Sequence, residues 1–158
     1  MIIGIDPGKT GGIAYISPTG SSGAIPMPVM GKDINGHEIA AQLKAILPDV
    51  VFLEKAQAMS KNGKQGVTGM FSYGKGFGII IGACEALGIP YRLVTPQAWK
   101  KAVLAGTAKD KDAAIAFVRR AYPNIDLTPG RKRVPHDGMA DAVCLAEYGR
   151  QLMGSEAA

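Results

Sequence analysis

Two short apolar runs with a glycine-rich turn between them place the tightest constraint on how this chain can fold. Residues 2–5 lead into Asp6-Pro7-Gly8-Lys9-Thr10-Gly11-Gly12, and a second apolar run occupies residues 13–16. Each run is too short for a stable helix, and the residues between them are those that reverse a chain. The pattern predicts a strand, a tight turn and a second strand, with Asp6 at the tip of the first. Gly8, Gly11 and Gly12 lack side chains, so backbone there can approach a ligand closely. A carboxylate held at such a tip suits a divalent cation or a phosphate-bearing substrate. Its plain alternative is a hairpin residue that caps its own turn.

The rest of the chain extends this start into a mixed α/β pattern. Residues 17–23 read as a turn and 24–30 as a third strand, which Pro26 and Pro28 place at or near a sheet edge. Residues 37–47 have helical spacing through Ile39, Leu43, Ile46 and Leu47, broken by Pro48-Asp49. The compact run 50–53 reads as a buried strand parallel to the first, ending in Glu54. Residues 55–69 have no usable period and read as a long exposed loop. A glycine-rich helix is expected over 70–87, a fifth strand over 91–94, and helices over 96–104, 109–122 and 137–152. Three strands joined by short turns and then two crossover strands predict one mixed five-stranded sheet, an antiparallel meander plus parallel strands, flanked by helices. Residues 1–153 would form one domain and 154–158 a short C-terminal tail.

Composition narrows the class of protein. At 158 residues, with 47% hydrophobic and 20% charged residues, the chain has the make-up of a globular domain with a real core. No apolar stretch is long enough to span a bilayer, and the start lacks the features of a signal peptide. The expected location is the cytoplasm. Cys84 and Cys144 lie in apolar stretches without metal-binding spacing, as befits buried thiols in a reducing compartment. Charge is unevenly spread. Residues 1–54 carry three lysines against five acids, whereas residues 55–158 carry fifteen Lys and Arg against eight acids. That footprint favours a polyanionic partner, most simply nucleic acid.

Four acids have placements that invite chemistry. Asp6 and Glu54 each follow an apolar run directly. If the first strand and the strand over 50–53 are parallel neighbours, both acids stand at the mouth of the sheet. Asp137 and Asp141 share one face at the start of the last helix. Four carboxylates in one place repel each other unless cations intervene. Two Mg²⁺ ions about 3.5–4 Å apart, with carboxylate and phosphate oxygens as ligands, would suit in-line hydrolysis of a phosphodiester. Taken singly, Asp137 is equally a helix cap and Asp141 a solvated helix residue.

The ordered set resembles a known family. Gly4-Ile5-Asp6-Pro7-Gly8 with Gly12-Ile13-Ala14, then Phe52-Leu53-Glu54, then His136-Asp137-Gly138-Met139-Ala140-Asp141 resemble RuvC-type Holliday-junction resolvases of the RNase H-like superfamily. The segment 96–111, from Pro96-Gln97-Ala98-Trp99 to Lys111, is similar to the family's short helix and glycine turn before a lysine-bearing helix. Glu54-Lys55-Ala56-Gln57 and Gly63-Lys64-Gln65-Gly66 are closer to the chloroplast and phage-like branch, where the loop after the catalytic Glu enters the junction centre. The resemblance implies an RNase H-like fold and Mg²⁺ ions, two per site with Mn²⁺ as a substitute, held by Asp6, Glu54, Asp137 and Asp141. Bacterial relatives often space the last two acids by three residues; here the spacing is four. His136 and Asp137 therefore both remain candidates to complete the site, with Asp137 favoured because one helical turn separates it from Asp141.

The resemblance also implies that Lys111 lies near the scissile phosphate, and that the protein is a homodimer bound to branched DNA. The helix over 70–87 is the candidate dimer contact. Lys61, Lys64, Lys75, Lys100, Lys101, Lys109, Arg131, Lys132 and Arg133 are candidate phosphate contacts, and Asn62 and Gln65 candidate contacts to bases. The implied activity is a Mg-dependent endodeoxyribonuclease that resolves four-way junctions by symmetric nicks. The alternatives are an RNase H-like nuclease for another branched DNA or RNA substrate, and a junction-binding protein without catalysis.

Overall fold

A computed structural model describes residues 1–55, 66–107 and 112–157 of the chain. Its sheet has strands β1 (Ile2–Asp6), β2 (Gly12–Ile16), β3 (Ser22–Pro26), β6 (Val50–Glu54) and β7 (Tyr91–Val94). They lie in the order β3-β2-β1-β6-β7. The β1/β2 and β2/β3 pairs are antiparallel, and β1/β6 and β6/β7 are parallel. This is the mixed five-stranded sheet expected from the sequence, meander first and crossovers after.

Beside it lies a two-stranded hairpin, β4 (Val29–Met30) with β5 (Asp33–Ile34), that the sequence did not foretell. The expected third strand over 24–30 is thereby cut in two. β3 starts two residues earlier and stops at Pro26, which pairs with Gly12. Beyond it, Met27 donates to the Gly11 carbonyl at 3.0 Å, and the Pro28 carbonyl accepts from Asn35 at 2.8 Å. Pro28 has no N–H with which to continue the ladder, so the chain leaves the sheet there.

The helices are α1 (Gly36–Ile46), α2 (Val67–Ala86), α3 (Pro96–Val103), α4 (Ala113–Ala121) and α5 (Asp137–Glu156). Asn35 caps α1 by accepting from the Glu38 N–H, and Thr95 caps α3 the same way toward Ala98. α2 starts three residues before the expected Met70, because Thr68 and Gly69 carry no apolar period to betray its first turn. α5 runs past the expected Leu152 to Glu156, whose carboxylate pairs with both terminal nitrogens of Arg92 on β7 at 2.8 and 3.1 Å.

Strand alternation divides the core into two layers. Ile3, Ile5, Val51 and Leu53 face Ile39 and Leu43 of α1 and Ile80 and Cys84 of α2. Val50 and Phe52 face Trp99 of α3, Val118 of α4 and Val143 and Leu145 of α5. α5 lies almost on the backbone of β1 and β2. A Cβ on Gly4 would stand 2.2 Å from the Ala142 carbonyl oxygen, and one on Gly138 would stand 2.1 Å from the Thr10 carbonyl oxygen. The turn glycines therefore serve a different purpose from the one the sequence suggested. Gly11 would collide with Asp6 backbone and Gly12 with Met139, so both are filled by the protein itself, and of the three only Gly8 has room beside it.

Candidate active site

Asp6 ends β1 and Glu54 ends β6. The parallel register sets Ile5 against Leu53, so the two acids close adjacent strands one step further on. Alternation puts both on the α5 side of the sheet, in phase with Gly4 and Phe52. The close packing at Gly12 and Gly138 holds the first turn of α5 against the β1–β2 turn. That contact brings Asp137, the first residue of α5, and Asp141, one turn later, to the same end of the sheet.

Asp6 and Asp141 respond to the charges of the other acids. Burial, then the Glu54 charge, push Asp6 up to about 7; Asp141 and Asp137 add to the rise, and a weak hydrogen bond from the Gly8 N–H opposes it. Burial also raises Glu54, against the hydrogen bond from Trp99 and the charge of Lys100. Asp141 rises to about 6, again chiefly by burial, with Lys100 opposing and Glu54 and Asp137 contributing. Carboxylates destabilised in this way are a donor set suited to hard divalent cations, which relieve both burial and repulsion. The side chains nevertheless stand apart. Among the described residues, no three His, Cys, Asp or Glu are near enough to one another to hold an ion as they lie. Three of the four engage another donor instead. Glu54 Oε2 accepts from Trp99 Nε1 at 2.8 Å, Asp137 Oδ1 from its neighbour Gly138 at 2.9 Å, and Asp6 Oδ1 from Gly8 at 3.4 Å.

His136 has a structural task. It is the N-cap of α5, and its Nδ1 accepts the Met139 N–H at 3.2 Å. Burial first, then Lys132, lower its pKa, which keeps the ring neutral with its proton on Nε2.

A cleft of about 460 Å³ opens beside Asp6, walled by the β1–β2 turn, β5 and α2. Lys9, Thr10, Ser72, Tyr73 and Lys75 line it. Tyr73 was not singled out from the sequence. Burial, then the Asp6 and Glu54 charges, push its phenol up to about 12, so it faces the site as a neutral hydroxyl. Nothing in the local pattern marks it, because its relation to the acids depends on how α2 crosses the sheet end.

Within the described residues the expected phosphate contacts divide into three groups. Lys75 lines the cleft and pairs with Asp33 at 2.7 Å. Lys100 lies over the Trp99 ring at 5.1 Å and acts on Glu54 and Asp141, closer to the acids than a general surface lysine would be. Lys101, Lys132 and Arg133 are exposed, and Arg131 ends the short 3-10 turn Pro129–Arg131. Lys61, Asn62, Lys64, Gln65, Lys109 and Lys111 lie outside the described residues.

The sheet order and its two helical layers are the fold of solved RuvC structures. Among solved structures the chain is similar to Thermus thermophilus RuvC, at 21% identity and a TM-score of 0.62, over 97% of this chain and 96% of that one. It is similar to T. thermophilus RuvC in complex with a Holliday junction substrate, at 17% identity and a TM-score of 0.66, over 98% and 96%. Fowlpox virus resolvase in complex with Holliday junction DNA matches at 18% identity and a TM-score of 0.56, over 96% and 97%. No protein-family model matches the chain, and no curated protein does.

Proposed function

We propose that this chain is a structure-selective endonuclease that resolves four-way DNA junctions. One observation carries the reading: burial and then the charges of neighbouring carboxylates raise Asp6 of β1 and Asp141 of α5 at the sheet end that Glu54 of β6 shares, on a fold shared with junction resolvases. Asp6, Glu54, Asp137 and Asp141 would hold two Mg²⁺ ions, or Mn²⁺ in their place. When bound, such ions supply an activated water and stabilise the charge on the departing 3′-oxygen.

The chain's own residues have separable tasks. The glycine contacts under α5 fix the acids against the strand ends. The start of α5 would present a positive dipole end to a phosphate bound at that sheet end. Lys100 offsets carboxylate repulsion, and Tyr73 offers a hydroxyl donor toward a phosphate in the cleft. Lys75, Lys101, Arg131, Lys132 and Arg133 position DNA through phosphates without reading sequence. In this reading Lys61, Lys64 and Lys109 are further phosphate contacts, Asn62 and Gln65 contacts to bases, and Lys111 a group for the scissile phosphate.

Symmetric nicking needs two such sites on opposed strands, hence a homodimer. α2 is the proposed contact: Gly74, Gly78 and Gly82 recur every fourth residue with open space beside them, and Phe71 is 71% exposed. The buried free cysteines suit a cytoplasmic protein, and no helix among the described residues is long and apolar enough to cross a membrane.

The test is a synthetic four-way junction incubated with and without Mg²⁺, with products mapped on all four strands and flaps, RNA–DNA hybrids and linear duplex run beside it. Metal-dependent nicks at symmetric positions, absent in Asp6→Asn although that variant still binds the junction, are expected. Hybrid cut as fast as junction would reject the substrate, and full cutting by Asp6→Asn would reject the site.

A further inference from the structure

We propose that the cleft between the β1–β2 turn and α2 is a phosphate subsite for the DNA strand that passes Asp6, with Lys9 and Lys75 as its cations, and that Asp33 keeps Lys75 from it in the free protein. This rests on the DNA-binding reading above and on no bound metal. The cleft, of about 460 Å³, has the size of pockets that take nucleotide-sized ligands. Lys9 and Thr10 line it from the turn, Ser72, Tyr73 and Lys75 from α2, and Asp33 from β5. Phosphodiester oxygens only accept hydrogen bonds, and ammonium groups and hydroxyls donate them. Tyr73, with its phenol pushed up to about 12, stays protonated and can do so too.

The two lysines differ in readiness. Lys9 is exposed and has no ion-pair partner among the described residues. Lys75 Nζ lies 2.7 Å from Asp33 Oδ2, with the two side chains 41% and 44% exposed. A pair so open to water is weak enough for a phosphate to displace. The next residues along hold the hairpin to the helix: a Cβ on Gly76 would stand 3.5 Å from the Ile34 side chain, an ordinary contact distance. Release therefore asks for a turn of the Lys75 side chain alone. A phosphate that takes Lys75 leaves the Asp33 carboxylate facing it, so Asp33 lowers the affinity for any strand laid in the cleft.

The measurement is fluorescence anisotropy of a labelled four-way junction in chelator, titrated at several KCl concentrations. Wild type, Lys9→Gln, Lys75→Gln, Asp33→Asn and the Asp33→Asn/Lys75→Gln double variant are compared, with a linear duplex beside the junction. Each lysine change is expected to weaken binding about fivefold and to flatten the logarithmic salt slope by about one. Unchanged affinity and slope in either lysine variant overturn the subsite. Asp33→Asn is expected to tighten binding about twofold to fivefold. In the Lys75→Gln background the same change has no ammonium to release, so its gain should be smaller. An equal gain in both backgrounds, or none in the wild type, overturns the role of Asp33. All three side chains reach solvent, so near-ultraviolet circular dichroism should find every variant folded. Wild type that binds linear duplex as well as the junction rejects the junction reading and leaves the variant comparison to decide the subsite. Preference for the junction with unaltered variants rejects the subsite alone.

Discussion

Asp6 carries the clearest conflict between stability and chemistry. Its folded pKa of about 7 lies above the unfolded value of 3.8, so the folded chain binds the extra proton through that interval. Metal-free protein should therefore lose stability as pH rises from about 4 to about 7 and regain it on acidification. Asp6→Asn removes the buried charge, so in chelator-treated buffer at pH 8 it should be more stable than wild type by about 1–3 kcal/mol. Thermal melts across pH check this, and a destabilised Asp6→Asn would contradict it. Glu147 works in the opposite sense. Burial would raise it, but hydrogen bonds from Arg150, Tyr122 and Gln151 outweigh burial and lower it. Its stabilisation is present above the unfolded pKa and lost as pH falls through the folded one.

At this scale the sequence spoke clearly where a residue's neighbours in the chain define its place. Asp6 and Glu54 were legible because an acid directly after an apolar run marks a strand end. The hydrogen bond from Trp99 was not, since its partner lies forty-five residues away in sequence, and neither was the capping by His136, which resembles a ligand as much as a cap.

Among the elements, α5 does most to assemble the site, and its approach depends on missing side chains. Gly138→Ala would place a methyl 2.1 Å from the Thr10 carbonyl, which forces the helix start off the turn. The expected cost is about 2–4 kcal/mol, with a loss of cation binding greater than that of a distant destabilising change. Denaturant unfolding and metal titration on one preparation would measure both. α2 gives the contrasting case. Gly78 has open space around it, so Gly78→Ala should stabilise the folded monomer by up to about 1 kcal/mol through helix propensity. If α2 is the dimer contact, the same change weakens self-association in sedimentation runs; an unaltered dimer would locate the interface elsewhere. The strands and α1 were readable from period and turn residues. The β4–β5 hairpin was not, because two-residue strands leave no period. Nor could the sequence say that Gly12 makes room for α5 and Gly11 for its own turn, since a glycine looks the same whether it admits a ligand or a helix.

For the whole molecule, topology turns four distant acids into neighbours. β1 and β6 must be parallel and adjacent, and α5 must cross them at their ends; the resulting fields on Asp6 and Asp141 follow. Of the basic residues after Glu54, Lys75 lines the cleft beside Asp6 and Lys100 acts on Glu54 and Asp141. The claim beneath all of this is that these acids share cations. Anomalous diffraction from crystals equilibrated with Mn²⁺ tests it most directly. The account predicts manganese peaks ligated jointly by Asp6, Glu54, Asp141 and Asp137; crystals saturated with manganese but lacking any peak at that sheet end would contradict it.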